Sequence, residues 1–246
     1  MNGMKTAIIG CGQLTASLLL VAVLLGRPAP AVAQGNHIFT FIEVKQNEYR
    51  VGGGGDTYTW DAQGWVGGDD NRAWLKTQGD YTIKDGLVEN AEVQLLYSRS
   101  IAAFWDLQIG GRYDPEPGPS RGFAVFGIQG LAPYFFEVDA AGFVSDDGDV
   151  SARLEAEYEL LLTQRLIARP SVELNFAVQE VEELGIGSGL SDVELGLRLR
   201  YEIVREIAPY IGVAWERKVG RTADFARREG KDFDILQFVV GVRFWF

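Results

Sequence analysis

The chain has 246 residues, with 34 Asp and Glu against 23 Lys and Arg and a formal net charge of −11. So acidic a chain offers no basic stripe for nucleic acid and no bulk attraction to an anionic lipid surface. A single cysteine excludes an internal disulfide, and two methionines and one histidine leave few soft donors for a metal.

The amino-terminal segment reads as an export signal. Lys5 supplies the positive region, Leu14 to Leu25 an apolar run, and Ala31-Val32-Ala33 a small-x-small cleavage site. Residues 1–33 are therefore expected to be removed, with the mature chain starting near Gln34. The apolar run is shorter than the about 20 residues a spanning helix requires. Cys11 precedes that run, so it is no lipid anchor, and it leaves with the signal together with Met1 and Met4. The segment carries Lys5 and Arg27 and no acid, so the remainder is more acidic still, and His37 is its one histidine.

Beyond Ala33 the dominant period is two residues. In Asp149 to Leu162, Val150, Ala152, Leu154, Ala156, Tyr158 and Leu160 alternate with Asp149, Ser151, Arg153, Glu155, Glu157 and Glu159. Wound as a helix, the same residues would spread charge around the whole circumference and leave no apolar stripe. The alternation recurs around Ala91 to Ser98, Trp105 to Tyr113, Leu166 to Phe176 and Asp192 to Ile203. It is less clean near 38–50, 57–66, 71–83, 121–132 and 134–145, where glycine dilutes the faces. At the carboxy terminus Leu236, Phe238, Val240, Val242, Phe244 and Phe246 share one face, and Gln237, Gly241 and Arg243 the other. A long apolar strand edge is an aggregation hazard in water, whereas a barrel closes it against its first strand.

Repeated segments of about ten residues with this alternation are the pattern of a transmembrane barrel. Counting from His37 predicts an all-β fold: a single closed antiparallel transmembrane β-barrel of about 12 strands over residues 34–246, after the cleaved signal peptide. From the fourth gap onward, short and long links largely alternate, the longest at 179–190 and 220–233. Outer-membrane barrels have short periplasmic turns and longer external loops, so both termini are expected on the periplasmic side.

Arg or Lys facing lipid at mid-membrane costs roughly 2–4 kcal/mol. Arg153, Arg169, Arg198, Arg200 and Arg243 are therefore expected inside the lumen with Glu155, Glu157, Glu173, Glu194, Glu202 and Glu216. Arg99 and Arg217 share parity with apolar neighbours but lie near strand ends, where exposure is cheap. Phe104, Trp105, Tyr113, Tyr134, Phe135, Phe143, Tyr210, Trp215, Phe244 and Trp245 gather near predicted turns and are expected to form interfacial girdles.

Catalysis is not expected. A serine hydrolase site in the barrel wall needs a histidine base, and His37 lies at the mature amino terminus. The acids at 67–70 and 146–149 read as turn residues, and Gly52 to Gly55 lacks the Gly-Lys-Ser/Thr ending of a phosphate loop. For a metal the residues available are His37 and the lumen carboxylates Glu155, Glu157, Glu173 and Glu194. Imidazole and oxygen suit copper(II), while copper(I) prefers sulfur.

Several runs resemble the copper resistance protein B (CopB) family: WDAQGWVGGDDNRAWLKT (60–77), AEVQLLYSRSIAAFWDLQIGGRYD (91–114), GIQGLAPYFFEV (127–138), RLEAEYELLLTQRL (153–166), GIGSGLSDVELGLRLRYEI (185–203), APYIGVAWERKVGRTADFAR (208–227) and the terminal GVRFWF. The resemblance covers nearly all of the mature chain in constant order. It implies an outer-membrane barrel of copper resistance and homeostasis that binds or passes copper ions, acting beside a periplasmic multicopper oxidase. Typical members carry a periplasmic extension rich in Met, His and Asp. Here only Gln34-Gly35-Asn36-His37 precedes the first expected strand, so no family ligand matches a residue of this chain. The expected partners are outer-membrane lipid and lipopolysaccharide, and the assembly machinery that reads Phe246. The alternative is a narrow general porin or a structural barrel without a metal role.

Overall fold

The computed structural model describes residues 37–246, so the expected signal peptide and the start at Gln34 lie outside the described residues. The wall is built from β1 (Phe39–Gly52), β2 (Thr57–Gly67), β3 (Asn71–Thr82), β4 (Leu87–Ala102), β5 (Trp105–Glu116), β6 (Arg121–Ala132) and β7 (Phe136–Ser145). It continues through β8 (Val150–Glu157), β9 (Leu160–Leu161), β10 (Leu166–Ala177), β11 (Gly189–Tyr201), β12 (Ile207–Lys218) and β13 (Asp234–Trp245). Neighbours pair antiparallel in chain order, and β13 pairs with β1 to close the barrel. Ile42 and Phe246 exchange two backbone hydrogen bonds at the seam, of 2.8 and 2.9 Å.

β8 and β9 are two pieces of one wall strand, since both pair with β10, which makes the barrel twelve-stranded. The break falls at Tyr158 and Glu159, opposite Pro170. The Tyr158 amide donates to the Pro170 carbonyl at 3.1 Å, but proline has no N–H with which to return the bond.

Every link on the side of the chain termini is short: 68–70, 103–104, 133–135, 162–165 and 202–206. The long links, 178–188 and 219–233, lie at the opposite end. The 220–233 segment, read from sequence as a loop, contains a helix, α1 (Gly220–Glu229). Gly230, in the left-handed conformation, ends it and donates to the Ala226 and Arg227 carbonyls. The helix is braced by the neighbouring loop: the Gly187 amide donates to Thr222 Oγ1 at 2.9 Å, and Arg221 pairs with Glu180 at 2.9 Å.

The two faces follow the two-residue period. Leu195, Leu197, Phe238 and Val240 are exposed on the outside, whereas Arg169, Arg198 and Arg200 are buried inside. Arg99 and Arg217 point outward near strand ends as expected, and Arg217 pairs there with Asp234 at 3.4 Å. Phe104, Tyr134 and Phe135 are exposed at the turns nearest the termini.

Three members of the expected girdle belong to the interior instead; one is Trp245, which stands opposite the buried Glu43 and near Phe41. Phe143 is buried with Trp74, Leu96 and Val125, and the Arg112 guanidinium lies 4.8 Å above its ring. Tyr210 is buried with Ala214 and Val239. Its cross-strand neighbour is Gly241, where a Cβ would stand 2.5 Å from the Tyr210 ring, so the missing side chain makes the room. Nearness to a turn suggested the girdle; strand parity decided the face.

Candidate functional site

Most lumen charges are locked into pairs. Glu48 on β1 is 1 % exposed and accepts from Arg50 at 2.8 Å, from Arg198 at 2.7 and 2.9 Å, and from the Tyr210 hydroxyl at 2.8 Å. Across the lumen Glu92 on β4, also 1 % exposed, accepts from both terminal nitrogens of Arg153 at 3.0 Å and pairs with Arg112 at 2.8 Å. Glu43 pairs with Arg243, and Glu159 bridges Arg200 at 2.9 Å and Arg243 at 3.2 Å. Each buried guanidinium here meets a carboxylate, which is the condition under which such charges survive out of water.

A second arrangement is less compensated. Asp139 on β7 stands opposite Glu155 on β8, Glu155 opposite Glu173 on β10, Glu173 opposite Glu194 on β11, and Glu194 opposite Glu216 on β12. Five carboxylates thus follow one line of register across consecutive wall strands, all on the lumen side. Side chains directly opposite have Cβ atoms about 4.5–5.5 Å apart, and like charges so placed repel. Three of the five have a cation at hand: Lys76 at 2.5 Å from Asp139, Arg153 at 3.5 Å from Glu173 and Arg50 at 3.1 Å from Glu194. Among the described residues neither Glu155 nor Glu216 has a basic group within 4.0 Å.

Of the carboxylates picked out from sequence, Glu155, Glu173 and Glu194 meet in this row. Glu157 faces the same lumen but is paired with Arg169 and stands opposite Glu137. His37 is not brought to them: it is exposed ahead of β1, its ring 6.2 Å from that of Phe39. Sequence reasoning left out Asp139 and, although it faced Glu216 inward, did not connect that residue with the others. The missing signal was register between strands, which alternation within one strand does not carry.

The row is not a cage. Among the described residues no three His, Cys, Asp or Glu side chains gather in a way that could hold a metal ion. Carboxylate oxygens spaced along a wall suit weak, exchangeable contact with a cation such as copper(II), and offer nothing to copper(I).

The profile described as "Copper resistance protein B precursor (CopB)" matches residues 38–246. The chain is 47% identical over 201 residues to "Copper resistance protein B" of Escherichia coli, covering 82% of this chain and 67% of that protein. It is 45% identical over 199 residues to the "Copper resistance protein B homolog" of Pseudomonas syringae pv. tomato, covering 81% and 67%. Among solved structures it is similar in fold to the NanC porin, with a TM-score of 0.52 and 14% identity over 84% of this chain and 99% of that one. With the barrel closed, the outer face apolar and the match running from the first strand to the last residue, this chain belongs to the copper resistance protein B (CopB) family.

Proposed function

We propose that this outer-membrane protein of copper resistance contributes to copper homeostasis by giving copper(II) a weak, exchangeable path along its lumen carboxylates. The observation that carries the reading is the row Asp139, Glu155, Glu173, Glu194 and Glu216, in which Glu155 and Glu216 have no ion-pair partner among the described residues. Copper is cargo here, held briefly and released, and the role is non-enzymatic. His37, the sole histidine, is exposed outside the lumen and sits beside no nucleophile in the wall.

In this reading the termini and short turns are periplasmic, and the 178–188 and 219–233 loops face outward. Outer-membrane lipid and lipopolysaccharide surround the apolar face. The exposed Phe246 is the residue read by the assembly machinery, and a periplasmic multicopper oxidase is the partner at the inner mouth. A protease site inserted at 230–232 is expected to be cut in intact cells, whereas one at 162–165 is not.

Deleting the gene should lower copper tolerance. A Glu155→Gln/Glu173→Gln/Glu194→Gln/Glu216→Gln variant should assemble yet fail to restore it. Unchanged tolerance in the deletion strain would falsify the copper role.

The paired clusters around Glu48 and Glu92 favour a second reading, a narrow porin or structural barrel with no metal role, because they fill much of the lumen. Conductance of the purified protein in planar bilayers, with and without copper(II), separates the two. A current that copper does not alter supports the porin, and no current at all supports the structural barrel.

A further inference from the structure

We propose that the ammonium of Lys45 is a tethered cation standing in the neck of the lumen, where it occupies the position a permeating cation would take and so sets the charge selectivity of the barrel. The inference rests on the lumen being an ion path, and not on copper being the ion that uses it.

Lys45 shares the inward face of Glu43, two residues before it, and sits at a distortion of the chain. In the ladder between β1 and β2, Val44 is opposite Ala62 and Gln46 opposite Asp61, which leaves Lys45 as the extra residue of a β-bulge. A regular strand turns successive side chains to opposite faces. The bulge lets both neighbours face inward: Gln46 accepts a bond from the buried Arg50 at 3.1 Å, while Lys45 lines the interior cavities. Asn47 then points out, where its side chain accepts from the Tyr58 hydroxyl at 2.6 Å. Bulges are found where a side chain must be re-aimed, and this one sets Gln46 beside Lys45 on the inner wall.

Two cavities meet at that cation. One, of about 160 Å³, opens on the side of the termini past Leu131 and Glu137. The other, of about 30 Å³, lies deeper against Leu96, Gln108 and Phe143. Lys45, Gln63, Asp139 and Glu155 line both, which makes them the neck between the two. The larger has room for several waters.

Lys45 is also a lumen cation without a fixed partner. Among the described residues no carboxylate lies within 4.0 Å of its ammonium, in contrast to Lys76 and Arg169, which each hold one. The charges acting on it come from Glu157 and Glu155 on β8, Asp61 on β2 and Glu137 on β7, opposed by Arg169 on β10. A single flexible ammonium among four carboxylates of the wall balances their field without being pinned to any one of them. A mobile cation entering the neck must share those carboxylates with it or displace it.

The test is reversal potential under a KCl gradient in planar bilayers, using the complete mature protein and the variants Lys45→Met and Lys45→Arg. Removing the ammonium should raise the permeability ratio of K⁺ over Cl⁻ several-fold, while Lys45→Arg should stay near the wild-type value. Lys45→Gln replaces Lys45→Met if the latter does not assemble. Currents with the same reversal potential in every variant would overturn the role of Lys45 and leave the ion path standing. Silence from wild type and variants alike would overturn both. A shift in K⁺ selectivity with no response to added copper(II) would support the Lys45 assignment and remove copper alone.

Discussion

The cluster around Glu48 and the row through Glu155 are made of the same side chains on the same inner wall, yet they have opposite electrostatic characters. Glu48 is surrounded by Arg50, Arg198 and the Tyr210 hydroxyl, and almost none of it is exposed. Glu155 faces Asp139 and Glu173 across its two neighbouring strands, lines both cavities and, among the described residues, has no cation within ion-pair distance. The first arrangement closes space and holds strands together; the second keeps negative charge available at a wet surface. A barrel that has to be rigid in a membrane and still present charge to a solute is served by dividing the two tasks between different stretches of wall.

The contrast is open to attack by substitution. The largest effect is expected for Glu48→Gln, which leaves Arg50 and Arg198 buried without their shared carboxylate. Removing one partner of a buried pair costs about 3–5 kcal/mol. Urea titration of the protein refolded into bilayers should show that loss, and an unchanged midpoint would mean that the cluster does not hold the wall.

Next comes a control on the outer face. Leu195→Arg, midway along β11 and exposed, should cost about 2–4 kcal/mol in the same assay. Arg217→Leu, at a strand end, should be nearly silent. Equal effects at the two positions would contradict the assignment of an apolar belt between polar rims.

Glu155→Gln should leave stability unchanged or raise it by about 0.2–1 kcal/mol, because it removes repulsion between directly opposed carboxylates. The same variant should reduce copper-dependent current. A loss of stability as large as that of Glu48→Gln would show that Glu155 has a structural partner and would erase its contrast with Glu48.

The smallest effect concerns the 178–188 loop. The hydrogen bond from Arg221 holds the exposed Glu180 carboxyl below its ordinary value. A carboxylate lowered in this way contributes most at pH above its unfolded range and loses that contribution as pH falls through its folded value. Protection factors of the amides in 180–188, taken relative to the intrinsic exchange rate at each pH, should therefore fall in acid, and Glu180→Gln should abolish that pH dependence. An identical acid response in the variant would exclude this pair as the tether.

Much of this molecule was legible in single strands. The faces of β8, β10, β11 and β13 followed from their alternation, and the inward position of Arg153, Arg169, Arg198, Arg200 and Arg243 from the cost of lipid exposure. Phe143, Tyr210 and Trp245 face inward because strand parity, and not turn proximity, decides the face. The α1 helix was missed because it is a short, strongly charged segment that begins after Val219 without a capping side chain, and much of its support comes from Thr222 and Arg221 bonding to another loop.

By itself, then, the sequence determined the strand period, the twelve-fold repetition and which side chains face water or lipid, because each of these is a property of residues two apart in one chain. Only the tertiary structure decided which strand positions stand opposite one another. Register aligned Asp139, Glu155, Glu173, Glu194 and Glu216, the bulge set Gln46 beside Lys45 on the inner wall, and barrel closure carried Arg198 to Glu48. Each is set by hydrogen bonding between segments far apart in the chain, and no local pattern encodes it.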